Sequence, residues 1–262
     1  MPGYWLKGGE GNRIPPVFLV RERICLGSMC RYELVRRITL SERGEKTMGD
    51  RKSFEDRCII SCGMLYPELR YLMGTGFLNP FKIMFTPPGL HAKPDELERQ
   101  LIRRLKRAKE LCPPHKIIVV YGRKCYVNVD EPTKKVDSII ESQGEGIRRV
   151  QGDYGYDMLA GIEERERISG GEADKILWFT PGWLENWKTV YQGYFGWDKA
   201  DANANFPGFY KKIIVLDGIG ASERYINEHP EKILELFDWT GVEVEFHEIT
   251  LDRLKGLLLE CL

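Results

Sequence analysis

The residues best equipped for chemistry are two cysteines and a histidine: Cys62, His91 and Cys125. Thiolate sulfur and imidazole nitrogen are zinc-ligand types, and three protein ligands with an open fourth position make a catalytic centre. Cys62 closes the run Ile59-Ile60-Ser61 and precedes Gly63, which puts its thiol at a strand's carboxyl end. Cys125 lies four residues past Tyr121, and His91 lies in the proline-rich turn after Phe85. The competing reading is packing, because cysteine is often buried as a small hydrophobe. That reading is preferred for Cys58, Cys112 and Cys261, which fall on apolar faces. Seven cysteines, odd in number and without CxxC spacing, argue against a disulfide framework. Cys58 and Cys62 share a strand face but stand roughly 13 Å apart, too far for one metal ion. Glu185 and Asp217 reach the same edge as the thiols, and Trp183 and Trp187, one helical turn apart, could line a planar pocket or belong to the core.

Such a set becomes one site only if the fold gathers strand ends. Short apolar runs closed by glycine or a thiol recur at 57–62, 116–121, 175–180 and 211–216, with further strands expected at 81–85, 148–151 and 242–247. Runs of this kind suit parallel strands covered on both faces. Between them lie helical patterns: Leu65, Leu69, Leu72; then Leu97, Leu101, Leu105, Ala108 after Pro94; then 136–142, 157–168, 183–195, 221–238 broken at Pro230, and 250–260 with Thr250 as its cap. Residues 198–210 read as a loop or a short helix. Strands alternating with helices predict an α/β fold, a three-layer sandwich on a mostly parallel, Rossmann-like sheet. Ile83-Met84-Phe85-Thr86-Pro87-Pro88-Gly89-Leu90 echoes Leu177-Trp178-Phe179-Thr180-Pro181-Gly182-Trp183-Leu184, so two similar half-domains packed about a cleft are an option. In such sheets ligands bind beyond the carboxyl ends of the strands.

Residues 1–55 break this pattern. They hold Gly8-Gly9-Glu10-Gly11, Pro15-Pro16 and one apolar patch, Val17-Phe18-Leu19-Val20, and eleven basic against seven acidic residues leave them about four units positive. They read as a flexible or irregular N-terminal extension to an α/β domain at 56–262, with Met48 as an alternative start and a basic interaction arm as the other reading. Over all 262 residues, 39 basic and 39 acidic side chains cancel, giving no electrostatic signature of nucleic-acid or membrane binding. Arginines and lysines crowd the outer face of the helix at 94–111, but no aromatics interleave to stack bases, so a solvated face is the expectation. No apolar run is long enough to cross a bilayer, and no signal-peptide core is evident, so a cytoplasmic location is expected. Gly218-Ile219-Gly220 lacks both dinucleotide spacing and a P-loop lysine.

Ser61-Cys62-Gly63-Met64-Leu65, Leu90-His91, Tyr121-Gly122 near Cys125, Thr180-Pro181-Gly182-Trp183-Leu184-Glu185-Asn186-Trp187 and Leu216-Asp217-Gly218 occur in this order. Together, over about 57–262, they resemble an uncharacterised domain-of-unknown-function family of bacteria and methanogenic archaea, often encoded near corrinoid-dependent methyltransferases. That family's pattern has a Tyr-Gly-x-Cys-Gly element and a later His-Asp-Cys element. Here the first reads Tyr121-Gly122-Arg123-Lys124-Cys125, with one residue inserted, and the second aligns with Asp153-Tyr154-Gly155, without its histidine and cysteine. The resemblance therefore implies a metal set of Cys62, His91 and Cys125 with Asp153 as the substitute ligand. It makes Tyr121, Thr180, Trp183, Glu185, Trp187 and Asp217 the expected pocket residues. Two functions are carried forward. One is a thiolate/imidazole metal-site protein, enzyme or accessory, with zinc as its cofactor and corrinoid or one-carbon methyl metabolism as its setting by association. The other is a non-catalytic small-molecule or protein-binding α/β domain with a degenerate metal site and a corrinoid or methyltransferase protein as its partner.

Overall fold

The structure, a computed structural model, describes residues 53–128 and 130–262. The expected extension falls, apart from 53–55, outside the described residues, as do Cys25, Cys30 and Met48. The first sheet comprises β1 (Cys58–Ser61), β2 (Lys82–Phe85), β3 (Ile117–Val120) and β4 (Arg148–Arg149) in the order β2-β1-β3-β4. The second comprises β5 (Ile176–Phe179), β6 (Lys212–Asp217) and β7 (Glu243–Glu248) in that order. Every pairing in both is parallel. The chain is therefore α/β, with its parallel strands divided between two sheets rather than joined in one.

Alternation along the strands ties the sheets into common layers. Cys58 and Ile60 of β1, Val119 of β3, Leu177 and Phe179 of β5 and Ile213 and Val215 of β6 share one core. It is filled by α2 (Pro94–Leu111), α3 (Val136–Glu141), α5 (Pro181–Lys188), α6 (Lys199–Asn205), α7 (Ala221–Glu228) and α8 (Pro230–Thr240). Ile59, Ile118, Val120, Trp178, Ile214 and Leu216 point the other way, against α1 (Tyr66–Gly74), α9 (Asp252–Leu259) and residues 158–160. Each core draws on both sheets, which makes a three-layer sandwich.

The helices follow their sequence cues. Pro94 opens α2 with Asp95 and Glu96 in its first turn, and Leu97, Leu101, Leu105 and Ala108 are its buried stripe. Three local expectations differ. The helix expected at 157–168 begins only at Ile162, as α4 (Ile162–Ser169), after a single 3-10 turn at Tyr156–Met158. The expected helix 183–195 is α5 followed by a π-helical stretch, Thr189–Tyr194. Thr250 does not occupy the N-cap of α9; Leu251 does, and the Thr250 hydroxyl only accepts from the Asp252 amide at 3.4 Å. Cys58 and Cys112 are buried, as packing residues are, but the structure pairs them as a disulfide.

Candidate functional site

From β1 the chain steps outward to β2, then crosses back past β1 to β3. The carboxyl ends of β1 and β3 therefore flank the topological switch point of the first sheet, the place where open parallel sheets bind ligands. The second sheet runs in sequence order and has no such point. β1 leads into Cys62 and β3 into Tyr121, and the Cys62 amide still donates to the Val120 carbonyl at 3.2 Å. The Tyr121 hydroxyl hydrogen-bonds the hydroxyl of Thr86, the first residue past β2. Three strand ends thus converge on Cys62, Thr86 and Tyr121, none of them more than 9% exposed.

Cys125 joins them from the turn after β3. The residue is half-buried but its sulfur is turned inward, 2.8 Å from where a β-carbon on Gly122 would stand. The backbone of that turn is fastened to the 152–153 loop: the Arg123 amide donates to the Gly152 carbonyl at 2.9 Å and the Lys124 amide to the Asp153 carbonyl at 2.8 Å. The buried Arg149 guanidinium clamps both, with Nη1 donating to the Tyr121 and Gly152 carbonyls at 3.1 Å each. The two segments named by the family resemblance, 121–125 and 153–155, therefore meet in space.

Burial pushes the Cys62 thiol up to about 11, with partial relief from the Met64 amide and the Tyr121 hydroxyl. Burial, and then the neighbouring Cys62, pushes Cys125 up to about 12. Tyr121 is raised well above its ordinary value, first by burial. Removal from water lowers His91 to about 4, so its imidazole is neutral. At neutral pH all four hold no charge.

The remaining metal-ligand candidates are engaged elsewhere. The His91 ring packs on Trp183, with centroids 4.9 Å apart. Asp153 gives its carboxylate to Arg123 Nε at 2.9 Å and Lys124 Nζ at 2.7 Å, and Arg123 foremost holds it below the usual carboxylate range. Among the described residues no three His, Cys, Asp or Glu side chains group to hold a metal ion. The four candidates as arranged do not fit a three-ligand centre.

At the edge of the second sheet the expected pocket residues have structural partners. The Thr180 hydroxyl donates to the Met64 carbonyl at 3.2 Å and accepts from the Trp183 amide at 3.3 Å, capping α5. Asp217 accepts from the amides of Ile219, Ala221 and Ser222 at 2.7–3.1 Å, which closes the start of α7. Burial pushes its carboxyl up, but these amides outweigh it and hold Asp217 low. Glu185 pairs with Arg224 at 3.0 Å. Trp187 is buried against Trp239, whereas Trp183 is half-buried between Phe179 and His91.

One acid has no such partner. Glu68, in the first turn of α1, is fully buried, and neither carboxylate oxygen has a hydrogen-bond partner. Its own backbone N–H offsets part of the burial effect without meeting hydrogen-bond geometry. Burial, then Glu185 and Asp217, raise Glu68 to about 8, and Cys62 feels it in turn. Glu68 therefore lies within electrostatic reach of both edges. It was missed among the site candidates, yet its spacing was a signal: three residues after Leu65 and four before Leu72, it sits inside the apolar stripe.

The edges are brought together by backbone. A β-carbon on Gly182 would stand 2.0 Å from the Met64 carbonyl oxygen, and one on Gly63 2.5 Å from the Thr86 carbonyl oxygen. The turn at 63–64 is thus gripped between the two Thr-Pro turns that echo each other in sequence. Two open depressions of about 450 and 540 Å³ lie along the start and outer face of α2, and none of these residues lines them.

Residues 85–258 match the model of a family described as a protein of unknown function (DUF1638). No curated protein and no solved structure matches.

Proposed function

We propose that this chain, which belongs to the DUF1638 family, binds a small molecule at the β1/β3 switch point, with Cys62, Tyr121 and Cys125 as lining. The reading is carried by one observation: polar, protonated side chains from three strand ends converge where a parallel sheet places its ligands. It takes the chain as a binding or accessory protein with an incomplete metal-ligand set. The family resemblance noted in the sequence makes one-carbon methyl metabolism the proposed setting, in the cytoplasm, with a corrinoid or a methyltransferase protein as partner. A second reading is suggested by the two thiols at one sheet edge, Cys62 after β1 and Cys125 in the turn after β3. In it, Cys62 and Cys125 would hold zinc as thiolates, and a further ligand would have to complete the set.

Metal content of the full chain and of Cys62→Ser, purified under reducing conditions, separates the two. The binding reading expects no stoichiometric zinc in either sample. One zinc per chain, lost in the variant while its circular dichroism is unchanged, overturns that reading in favour of the metal centre.

A further inference from the structure

α2 carries the chain from β2 to β3 over β1, and its apolar stripe of Leu97, Leu101, Leu105 and Ala108 continues into Cys112. Cys112 ends the helix in extended backbone, its amide donating to the Ala108 carbonyl at 2.8 Å. Facing it is Cys58, the first residue of β1, 54 positions away in sequence but only 6.4 Å away between α-carbons. That separation lies within the roughly 4.4–6.8 Å that a disulfide spans. At the other end of the helix, Leu90 shares the same core with Cys62 and Met64. One element thus runs from this cysteine pair to the carboxyl edge of the first sheet.

We propose that Cys58 and Cys112 form a reversible thiol–disulfide latch that fastens the end of α2 to β1, closed and opened by exchange with a small soluble thiol and its disulfide. The inference goes beyond the small-molecule reading and rests only on the proposed cytoplasmic setting. In a reducing compartment permanent disulfides are rare, and those that do form are usually transient and redox-sensing. Both states fit the same core. Joined, the two sulfurs prolong the apolar stripe; separated, the thiols are small hydrophobes that pack in it. Cys58 is fully buried whereas Cys112 keeps 6% of its surface exposed, so an incoming thiolate bonds to the Cys112 sulfur. The Cys58–Cys112 bond breaks, and Cys58 leaves with the electron pair and takes a proton from solvent. A second thiol attacks the mixed disulfide and frees Cys112. Two small thiols have then become one small disulfide while the protein disulfide has become a dithiol, and closure is the reverse. With the latch open, α2 keeps its packing and two side-chain hydrogen bonds at 2.6 Å, Arg104 Nε to the Phe85 carbonyl and Lys109 Nζ to the Gln143 carbonyl.

The test equilibrates the full, folded chain with millimolar glutathione at ratios from fully reduced to fully oxidised. Free thiols are then blocked, and the digested chain is mapped by mass spectrometry. A linked Cys58–Cys112 peptide is expected to appear with oxidised glutathione and to disappear with reduced glutathione, without denaturant. Hydrogen exchange over residues 105–116 is expected to be roughly ten-fold faster in the reduced chain. Cys112→Ala, which leaves a small apolar side chain at the helix end, is expected to exchange like the reduced chain under both conditions. No linked peptide at any ratio, or only a glutathione adduct on Cys112, overturns the proposal. A link that opens only in urea marks a permanent brace and overturns it as well, as does equal exchange in the two states.

Discussion

The carboxyl edges of the two sheets lie against the same turn, yet they handle polar groups in opposite ways. At the second edge two acids are matched: Asp217, held low, to three amides, and Glu185 to Arg224. At the first, the groups keep their protons: two thiols, a phenol and, just behind them, Glu68. A matched edge holds helices in place. An unmatched one keeps binding capacity in reserve, and its cost in stability is the signature of a site. The difference teaches that location at a strand end does not by itself make a residue functional. Asp217 and Cys62 occupy equivalent ends, and only the second lacks a structural task.

The harshest way to break the comparison is to force the edges apart. Gly182→Ala drives a β-carbon into the Met64 carbonyl, and we expect a loss of roughly 3–4 kcal/mol in urea unfolding. Gly89→Ala, at φ +74° but facing the movable Val190 side chain, costs roughly 1–2 kcal/mol. Equal losses would show that the Met64 contact does not join the edges.

Next come two acids with opposite pH responses. Raising Glu68 from 4.5 to about 8 lets the unfolded chain lose its proton first. Wild-type stability therefore falls as pH rises from about 4.5 to about 8, with a ceiling of about 5 kcal/mol. Glu68→Gln removes that slope, and after the cost of burying an amide we expect a net gain of about 2 kcal/mol at pH 8. Asp217 is held low, so its contribution is present at neutral pH and disappears as pH falls through its folded value. Asp217→Asn loses about 2 kcal/mol at pH 7. Urea titrations between pH 4 and 9 read both, and slopes of the same sign would dissolve the distinction between the edges.

A smaller effect concerns reactivity. With thiols raised to about 11 and about 12, Cys62 and Cys125 should react with iodoacetamide at pH 8 at least ~100-fold more slowly folded than unfolded. Peptide mass spectrometry after timed labelling measures this, and rapid labelling of Cys62 would show an ionised thiol. The last effect is at His91. Its depressed value of about 4 means that stability is lost as pH falls from about 6.5 to about 4. His91→Gln removes that acid-side slope, whose ceiling is about 3 kcal/mol.

Strand runs, glycine stops and the Pro94 start were legible in the sequence because each depends on local chemistry. The division into two sheets was not. Pairing partners are chosen across the chain, and a two-residue strand such as β4 leaves almost no pattern to read. The edge location of Cys62 and Tyr121 followed from apolar runs, but the switch point required the strand order. Asp153 looked available because its partners, Arg123 and Lys124, stand 30 and 29 positions earlier, in the turn after β3. Thr180 and Asp217 looked like ligand groups because a cap and a binding residue use the same side-chain types. Glu68 was the reverse case, a glutamate written into an apolar stripe and passed over as part of its helix.

The contact of Gly182 with the Met64 carbonyl has a mechanical consequence. Its closeness is set by main-chain atoms, so the two sheets are riveted rather than hinged. Altering the Met64 side chain leaves the rivet in place, and a ligand cannot gain entry by swinging one sheet away from the other. If the chain takes up a small molecule as proposed, its admission falls to side chains at the rim, a matter of rotamers, fast and local, instead of domain motion.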